Sequence, residues 1–323
     1  MNEFALIDRY FRRAPSDRSV RVGIGDDAAI VTPTPGMALA VSVDMLVEGR
    51  HFLRGTDPGR LGHKTLAVNL SDLAAMGATP RYALLAGALP DADERWLAAF
   101  SAGLFALAQT YAVDIIGGDT TKGPRNLCVT VIGEVSADDA LTRGGAQVGD
   151  DIYVSGTLGD AALALAALEG RTTLDDDALR VARERLEAPQ PRVRLGETLR
   201  GSASAAIDVS DGLTGDLAHV VEASHAGATI DLDALPCSTA LSDKLHGDER
   251  DLALRCLLAG GDDYELLFTA EPRHRERIAA IARDLALPLT RIGAVDGSGA
   301  VIVRDEHGRP LRTLPRAFDH FAT

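Results

Sequence analysis

Residues 114–121 read Asp114-Ile-Ile-Gly117-Gly118-Asp119-Thr120-Thr121. The apolar run Val113–Ile116 predicts a buried strand, and the glycines, aspartate and threonines after it predict a loop at the strand's end. Loops of this kind hold ligands in α/β proteins, because glycine lets backbone N–H groups approach a phosphate closely. Asp119 adds a hard oxygen donor beside that phosphate, which suits Mg²⁺. The same chemistry recurs at Gly25-Asp26-Asp27, Asp44, Asp72, Asp208-Val-Ser-Asp211-Gly212 and Gly260-Gly-Asp262-Asp263.

Working outward, the order of elements from Val20 to Val135 reads β, β, α, β, α, β, β. The strands lie around 20–31, at Met37–Asp44, Tyr82–Leu89, at the anchor run and at Asn126–Val135. A short amphipathic helix over 3–13 precedes them. Leu61–Met76 is a helix closed by Gly77, and Asp93–Tyr111 is another. Within the first of these, Thr65, Asn69 and Asp72 form one polar stripe on an otherwise apolar surface. A carboxylate there is costly unless it is paired, binds a metal or is solvated on an exposed edge.

The pattern predicts an α/β protein of the α+β sandwich type in two domains. Residues 1–137 form an N-terminal mixed sheet with helices on one face, and 138–323 form a larger C-terminal α/β domain. The second half opens with a Gly-rich segment at 142–150 and the strand Ile152–Ser155. Gly156–Asp160 follows, where Asp160 is expected to cap the next helix rather than to join an anion site. Further strands are expected at Ala203–Val209, Ala228–Leu232, Tyr264–Phe268, Arg291–Val295 and Val301–Arg304.

At 323 residues, two domains are the natural division. The net charge of −14 excludes a non-specific nucleic-acid binder, and an anionic ligand would need cations to accompany it. No apolar run is long enough to span a bilayer, and the N-terminus has no basic-then-apolar leader, which predicts a cytoplasmic protein. The three cysteines, Cys128, Cys237 and Cys256, have neither a disulfide framework nor zinc spacing. There is no P-loop, kinase catalytic loop or dinucleotide fingerprint, and a lone histidine such as His63 or His219 is more often structural than catalytic. What remains is a set of aspartates at the ends of apolar segments. Such a set needs cations to stay ionised together. Oxygen-only ligation selects Mg²⁺, Mn²⁺ or Ca²⁺, and a Mg–nucleotide site follows.

The motifs GIGDDAA (23–29), SVD (42–44), EGRHF (48–52), NLSDLAAMGATP (69–80), GGDTTKG (117–123), TRGGAQVGD (142–150), IDVSDGL (207–213), GGDDYELLF (260–268) and FDHF (318–321) together closely resemble the thiamine-monophosphate kinases. A looser resemblance extends to the aminoimidazole ribonucleotide synthetase and selenophosphate synthetase superfamily. The resemblance implies a homodimer formed through the N-terminal sheet, and transfer of a phosphoryl group from ATP to thiamine monophosphate without a catalytic side chain. It implies Asp27, Ser42, Val43 (through its carbonyl), Asp44, Asp72, Asp119, Asp208 and Asp211 as magnesium ligands. Gly118, Asp119, Arg143 and Ser210 would contact ATP, and His51, Asp262 and Phe318 would line the thiamine phosphate site. Phe318 stands where Tyr or Trp is expected; it keeps a π face for a cationic ring but has no donor. The alternatives are a sister enzyme of the superfamily and a non-catalytic Mg–nucleotide-binding regulatory module. A selenophosphate synthetase would need a reactive Cys in its N-terminal loop, and a hydrogenase-maturation relative a C-terminal Cys; neither is present.

Overall fold

Alternation in Ala38–Val47 makes a ten-residue strand whose two faces differ: Leu39, Val41, Val43 and Met45 are 45–61% exposed, while Ser42 and Asp44 on the other face are half-buried. In the computed structural model, which describes residues 3–315, this is an edge strand of a four-stranded sheet. The chain divides into two units, one made of residues up to Leu73 together with Ala78–Asp138, the other of Ala74–Gly77 and residues from Asp139 on.

The first unit starts with α1 (Glu3–Tyr10) and the small ladder β1 (Val20–Val22) and β2 (Ile30–Val31). The sheet then forms from β3 (Ala38–Val47), β4 (Thr79–Leu89), β5 (Asp114–Lys122) and β6 (Asn126–Val135), in the order β3-β6-β4-β5. Only β4 and β5 run parallel; the other two pairings are antiparallel. Helix α2 (Pro58–Ala75) and helix α3 (Glu94–Thr110), the latter capped by the Asp93 carboxylate, cross very closely. A Cβ on Gly103 would come within 1.9 Å of the Gly59 carbonyl, and one on Gly62 within 2.0 Å of the Phe100 carbonyl. Glycine at these positions lets the two backbones touch. The inward residues Leu127, Val129 and Val131 of β6 and Leu66, Leu70 and Leu73 of α2 are all buried.

The second unit is a six-stranded sheet, ordered β12-β9-β11-β7-β10-β8. Its strands are β7 (Asp151–Ser155), β8 (Ala205–Val209), β9 (Gly227–Asp231), β10 (Glu265–Ala270), β11 (Leu289–Asp296) and β12 (Val301–Arg304). All pairings are antiparallel except β12 with β9. Helices α4 (Asp160–Leu168), α5 (Asp176–Glu187), α6 (Val193–Leu199), α7 (Leu213–Ser224), α8 (Thr239–Leu245), α9 (Arg250–Ala259) and α10 (Arg275–Asp284) complete it. Its core joins Ile152, Val154, Ile207 and Leu267 of the strands to Leu217 and Val220 of α7 and Leu257 and Leu258 of α9. No helix among the described residues is long and apolar enough to cross a membrane.

Two local expectations change. The glycine-aspartate stretch after Ile116 is not a loop: β5 continues through Gly117–Thr121 to Lys122, paired residue by residue with Leu84–Leu89 of β4. Asp160 does not cap α4. Gly159 (φ 83°) holds the cap position, and Asp160 is the first helical residue, buried, accepting hydrogen bonds from the Thr157 and Ser238 hydroxyls.

Candidate phosphate and metal sites

In the first unit the candidate ligands fall into two groups, set by the pleat of the sheet. Ser42 and Asp44 are two residues apart on β3 and share a face. That face meets α2: Ser42 Oγ donates to Asp72 Oδ2 at 2.5 Å, and the Asp44 N–H donates to Asn69 Oδ1 at 2.9 Å. Asn69 is in turn tied to its helix by a bond from its amide nitrogen to the Thr65 carbonyl. Thr65 and Asn69 of the polar stripe are buried, at 0% and 1% exposure, Asp72 is half-buried, and Asn69 and Asp72 are directed at β3.

Asp119 belongs to the other group. It stands in register with Ala86, Cys128 and Met45, a row on the opposite face of the sheet. A cavity of about 950 Å³ opens there, lined by Asp26, Asp27, Gly118 and Asp119 and walled by Phe4, Ile7 and Phe11 from α1 and its end. The structure therefore brings Asp27, Gly118 and Asp119 together, and Ser42, Asp44 and Asp72 together. It does not join the two groups within the unit, because β3 and β5 are the two edges with two strands between them. At about 4.8 Å per strand, that is roughly 14 Å.

His51 lies in the turn after β3. Its Nδ1 accepts the Val47 N–H at 3.0 Å, which leaves the proton of a neutral ring on Nε2. The buried Lys64 donates to the His51 carbonyl at 3.3 Å. The same turn is held by Glu48, paired with Arg125 at 2.8 Å, and the Arg125 guanidinium lies 4.6 Å from the ring centre of Trp96.

In the second unit, Asp208 is the last residue but one of β8, buried at 4% exposure, and Ser210 and Asp211 follow in the loop to α7. The segment carrying Asp262 is fastened to that loop by two backbone bonds, Asp262 N–H to the Ser210 carbonyl (2.9 Å) and Tyr264 N–H to the Val209 carbonyl (2.8 Å). Asp262 and Tyr264 both have positive φ, 69° and 50°, a strained geometry for residues with side chains. Between them, the Asp263 carboxylate accepts the Gly159 N–H, so the segment is held on both sides. The Tyr264 hydroxyl donates to Asp262 Oδ1 at 3.0 Å. Asp208, Ser210, Asp211 and Asp262 are thereby gathered at one end of β8. Arg143 is not among them. Its loop is bound to Ser224, the last residue of α7, at the far end of that helix. Phe318 lies outside the described residues.

Two residues of this region went unread in the sequence. Asp216 accepts the N–H groups of Ser210, Asp211 and Gly212 on one oxygen, each at 3.1 Å. Burial first, then the nearby Asp211, pushes its carboxyl up to about 7, while the three donors pull the other way. An acid in the first turn of a helix is the signal that could have found it. Tyr264 offered only an aromatic at the start of a strand.

Among the described residues, no three His, Cys, Asp or Glu side chains stand close enough to hold a metal ion by themselves. The donors that do converge are carboxylate, hydroxyl and carbonyl oxygens in small groups. This fits Mg²⁺, which keeps several waters and shares phosphate oxygens instead of demanding a full protein cage.

Family models place this architecture. The model described as "AIR synthase related protein, N-terminal domain" matches residues 25–135, and that described as "AIR synthase related protein, C-terminal domain" matches residues 147–306. A thiamine-monophosphate kinase from Escherichia coli (strain K12) is 48% identical over 326 residues, covering 99% of this chain and 98% of that protein. The chain belongs to the thiamine-monophosphate kinase family. Solved members of the family share its fold. The crystal structure of thiamine-monophosphate kinase from Stenotrophomonas maltophilia K279a superposes with a TM-score of 0.87 at 48% identity, covering 94% of this chain and 96% of that one. "AaThiL complexed with AMPPCP and TMP" superposes with a TM-score of 0.78 at 30% identity, covering 90% and 89%.

Proposed function

We propose that the chain transfers the γ-phosphoryl group of ATP to thiamine monophosphate, forming thiamine diphosphate and ADP. The observation that carries this reading is the pair of acid-bearing strands, β5 with Asp119 and β8 with Asp208, in a chain that aligns over nearly its whole length with thiamine-monophosphate kinases. A relative 30% identical to it is described as complexed with AMPPCP and TMP, the two kinds of ligand the reaction requires.

Asp27, Ser42, the Val43 carbonyl, Asp44, Asp72, Asp119, Asp208 and Asp211 would hold Mg²⁺. Bound there, the ions would neutralise two polyanions that would otherwise repel each other. The residues themselves do the rest. Gly118 and Ser210 would meet the nucleotide. Asp262, oriented by Tyr264, would face the cationic thiazolium, with His51 and Phe318 as further contacts. Arg143 enters on the resemblance alone. The acceptor is a phosphate monoester whose second pKa is about 6, so at neutral pH it is already an anion and needs no general base. Its oxygen forms the new bond to the γ-phosphorus as the bond to the β–γ bridging oxygen breaks, and ADP leaves. No phosphorylated aspartate intervenes.

The proposal includes a homodimer. Leu39, Val41, Val43 and Met45 form an exposed apolar row on an edge strand, and such a row is a liability unless covered. A second copy against β3 would cover it. It would also allow the β5 acid of one copy and the β3 acids of another to serve one nucleotide.

The test is ADP formation with Mg²⁺–ATP, with and without thiamine monophosphate, for the wild type beside Asp119→Asn. Turnover that depends on thiamine monophosphate and collapses in the variant is expected. Turnover with another acceptor alone would move the chain to a sister activity, and tight nucleotide binding with no turnover would make it a regulatory module.

A further inference from the structure

The connection from β8 to α7 is built like an anion receptor. A strand ends, Gly212 takes φ 116°, a helix begins, and three consecutive N–H groups converge on one point. In phosphate-binding loops of this shape, the amides and the helix dipole seat a phosphate oxygen directly. Here the point is filled by Oδ2 of Asp216, one turn into α7 and 3% exposed. The hydroxyl in that first turn is committed as well: Thr214 Oγ1 donates to the Leu258 carbonyl at 2.9 Å. From Ile207 to Gly215 there is no lysine or arginine, whereas Asp208, Asp211 and Asp216 are all carboxylates. A bare phosphate approaching the amides of Ser210–Gly212 would find them occupied and would meet like charges.

We propose that Asp216 is a positioning residue that fills the loop's own anion seat, so that Asp208 and Asp211, rather than the amides of Ser210–Gly212, face the nucleotide. Phosphate is then held at this loop only in the company of a divalent cation. This deepens the kinase reading and rests on its assignment of Asp208 and Asp211 as metal ligands. The device is the reverse of a P-loop. There, free amides and a lysine take the phosphate. Here a carboxylate silences the amides, and the loop's remaining charge selects a cation.

The experiment uses the full chain and needs no turnover. Inorganic phosphate is titrated without metal, in chelator, while the amide NMR signals of Ser210, Asp211 and Gly212 are followed in the wild type and in Asp216→Ala. The wild-type signals are expected to stay in place up to millimolar phosphate, and those of Asp216→Ala to shift saturably as the emptied seat is taken. Mg²⁺–ATP binding is expected to weaken about tenfold in Asp216→Ala and by less in Asp216→Asn, whose carbonyl oxygen can still accept these N–H groups. Should Asp216→Ala not fold, the Asp216→Asn affinity decides. Saturable metal-free phosphate binding at these amides in the wild type would overturn the proposal, and so would wild-type Mg²⁺–ATP affinity in the variants. A merely structural role predicts weaker folding but no gained phosphate binding. If the wild type binds Mg²⁺–ATP but does not phosphorylate thiamine monophosphate, the kinase reading falls while this proposal is still decided by the titrations.

Discussion

Ser42 Oγ donates to Asp72 Oδ2 at 2.5 Å, joining an edge strand to the helix that covers its sheet. The bond orients a carboxylate that is proposed above to receive a cation. Ser42→Ala is therefore expected to lower folding stability by only about 1 kcal/mol, the net worth of one hydrogen bond. Its larger effect is expected on the Mg²⁺ dependence of ADP formation, which should shift to higher Mg²⁺, while Ser42→Thr retains the donor and should keep the wild-type dependence. An unchanged Mg²⁺ curve in Ser42→Ala would remove Ser42 from the ligand set.

Tyr264→Phe removes the donor to Asp262 while keeping the ring that fills its buried site. Hydrogen bonds to charged groups are worth about 1.5–3 kcal/mol. The KM for thiamine monophosphate is expected to rise about tenfold, with the KM for Mg²⁺–ATP unchanged. Equal changes in both would show that Asp262 does not act on the acceptor side.

Gly118→Ala tests the close contact of β5 with β4. Gly118 has φ 148°, and an added Cβ would lie 1.8 Å from the Leu85 carbonyl. A loss of more than about 2 kcal/mol in denaturant unfolding is expected, since both the backbone angle and the contact must be relieved.

Glu265 is fully buried in β10, where it accepts from Ser155 at 2.5 Å and Arg192 Nε at 2.6 Å and pairs with Arg185. Glu265→Ala would leave two guanidinium groups without their anion, so a cost of about 3–5 kcal/mol is expected in equilibrium unfolding. Substituting all three charged residues by apolar ones of similar volume should recover much of it.

Asp151 supplies a pH dependence on the acid side. Its carboxylate accepts two bonds from Arg275, at 2.6 and 2.8 Å, and one from Arg291 at 3.1 Å. The hydrogen bonds from Arg275 lead the effects that hold its carboxyl below the ordinary range. A depressed pKa means that the fold favours the ionised form. The stabilisation is complete above the unfolded value of about 3.9 and is lost as the pH falls through the folded value. The melting temperatures of the wild type and Asp151→Asn should thus differ most near pH 6 and converge toward pH 2. A constant difference would show that the loss is one of packing.

β-Branched and apolar strands were legible from the residues alone. Asn126–Val135 and Val301–Arg304 lie where the pattern predicts them. The acids were legible too, as chemistry, because aspartates beside Gly, Ser and Thr at the ends of apolar runs have few other uses. Partnership was not legible. Gly117–Thr121 carries loop residues, yet it is a strand because β4 offers it a parallel partner to the end. Asp160 has a capping residue's composition, but Thr157 and Ser238 claim its oxygens from outside the helix. Alternation shows that Ser42 and Asp44 share a face; only the sheet order shows that Asp119 stands on the far edge and the other face. Asp216 is an acid in the first turn of a helix, and nothing in its spacing shows the three amide donors that the loop before that helix brings to it.

The stacking of Arg125 on Trp96 has a practical outcome. The chain has a single tryptophan, and the cation over its ring is the one that grips Glu48 in the turn bearing His51. Any rearrangement of that turn would change the electrostatic environment of the indole. The protein thus carries its own fluorophore next to the proposed acceptor contact, and stopped-flow emission could time the arrival of thiamine monophosphate without a label.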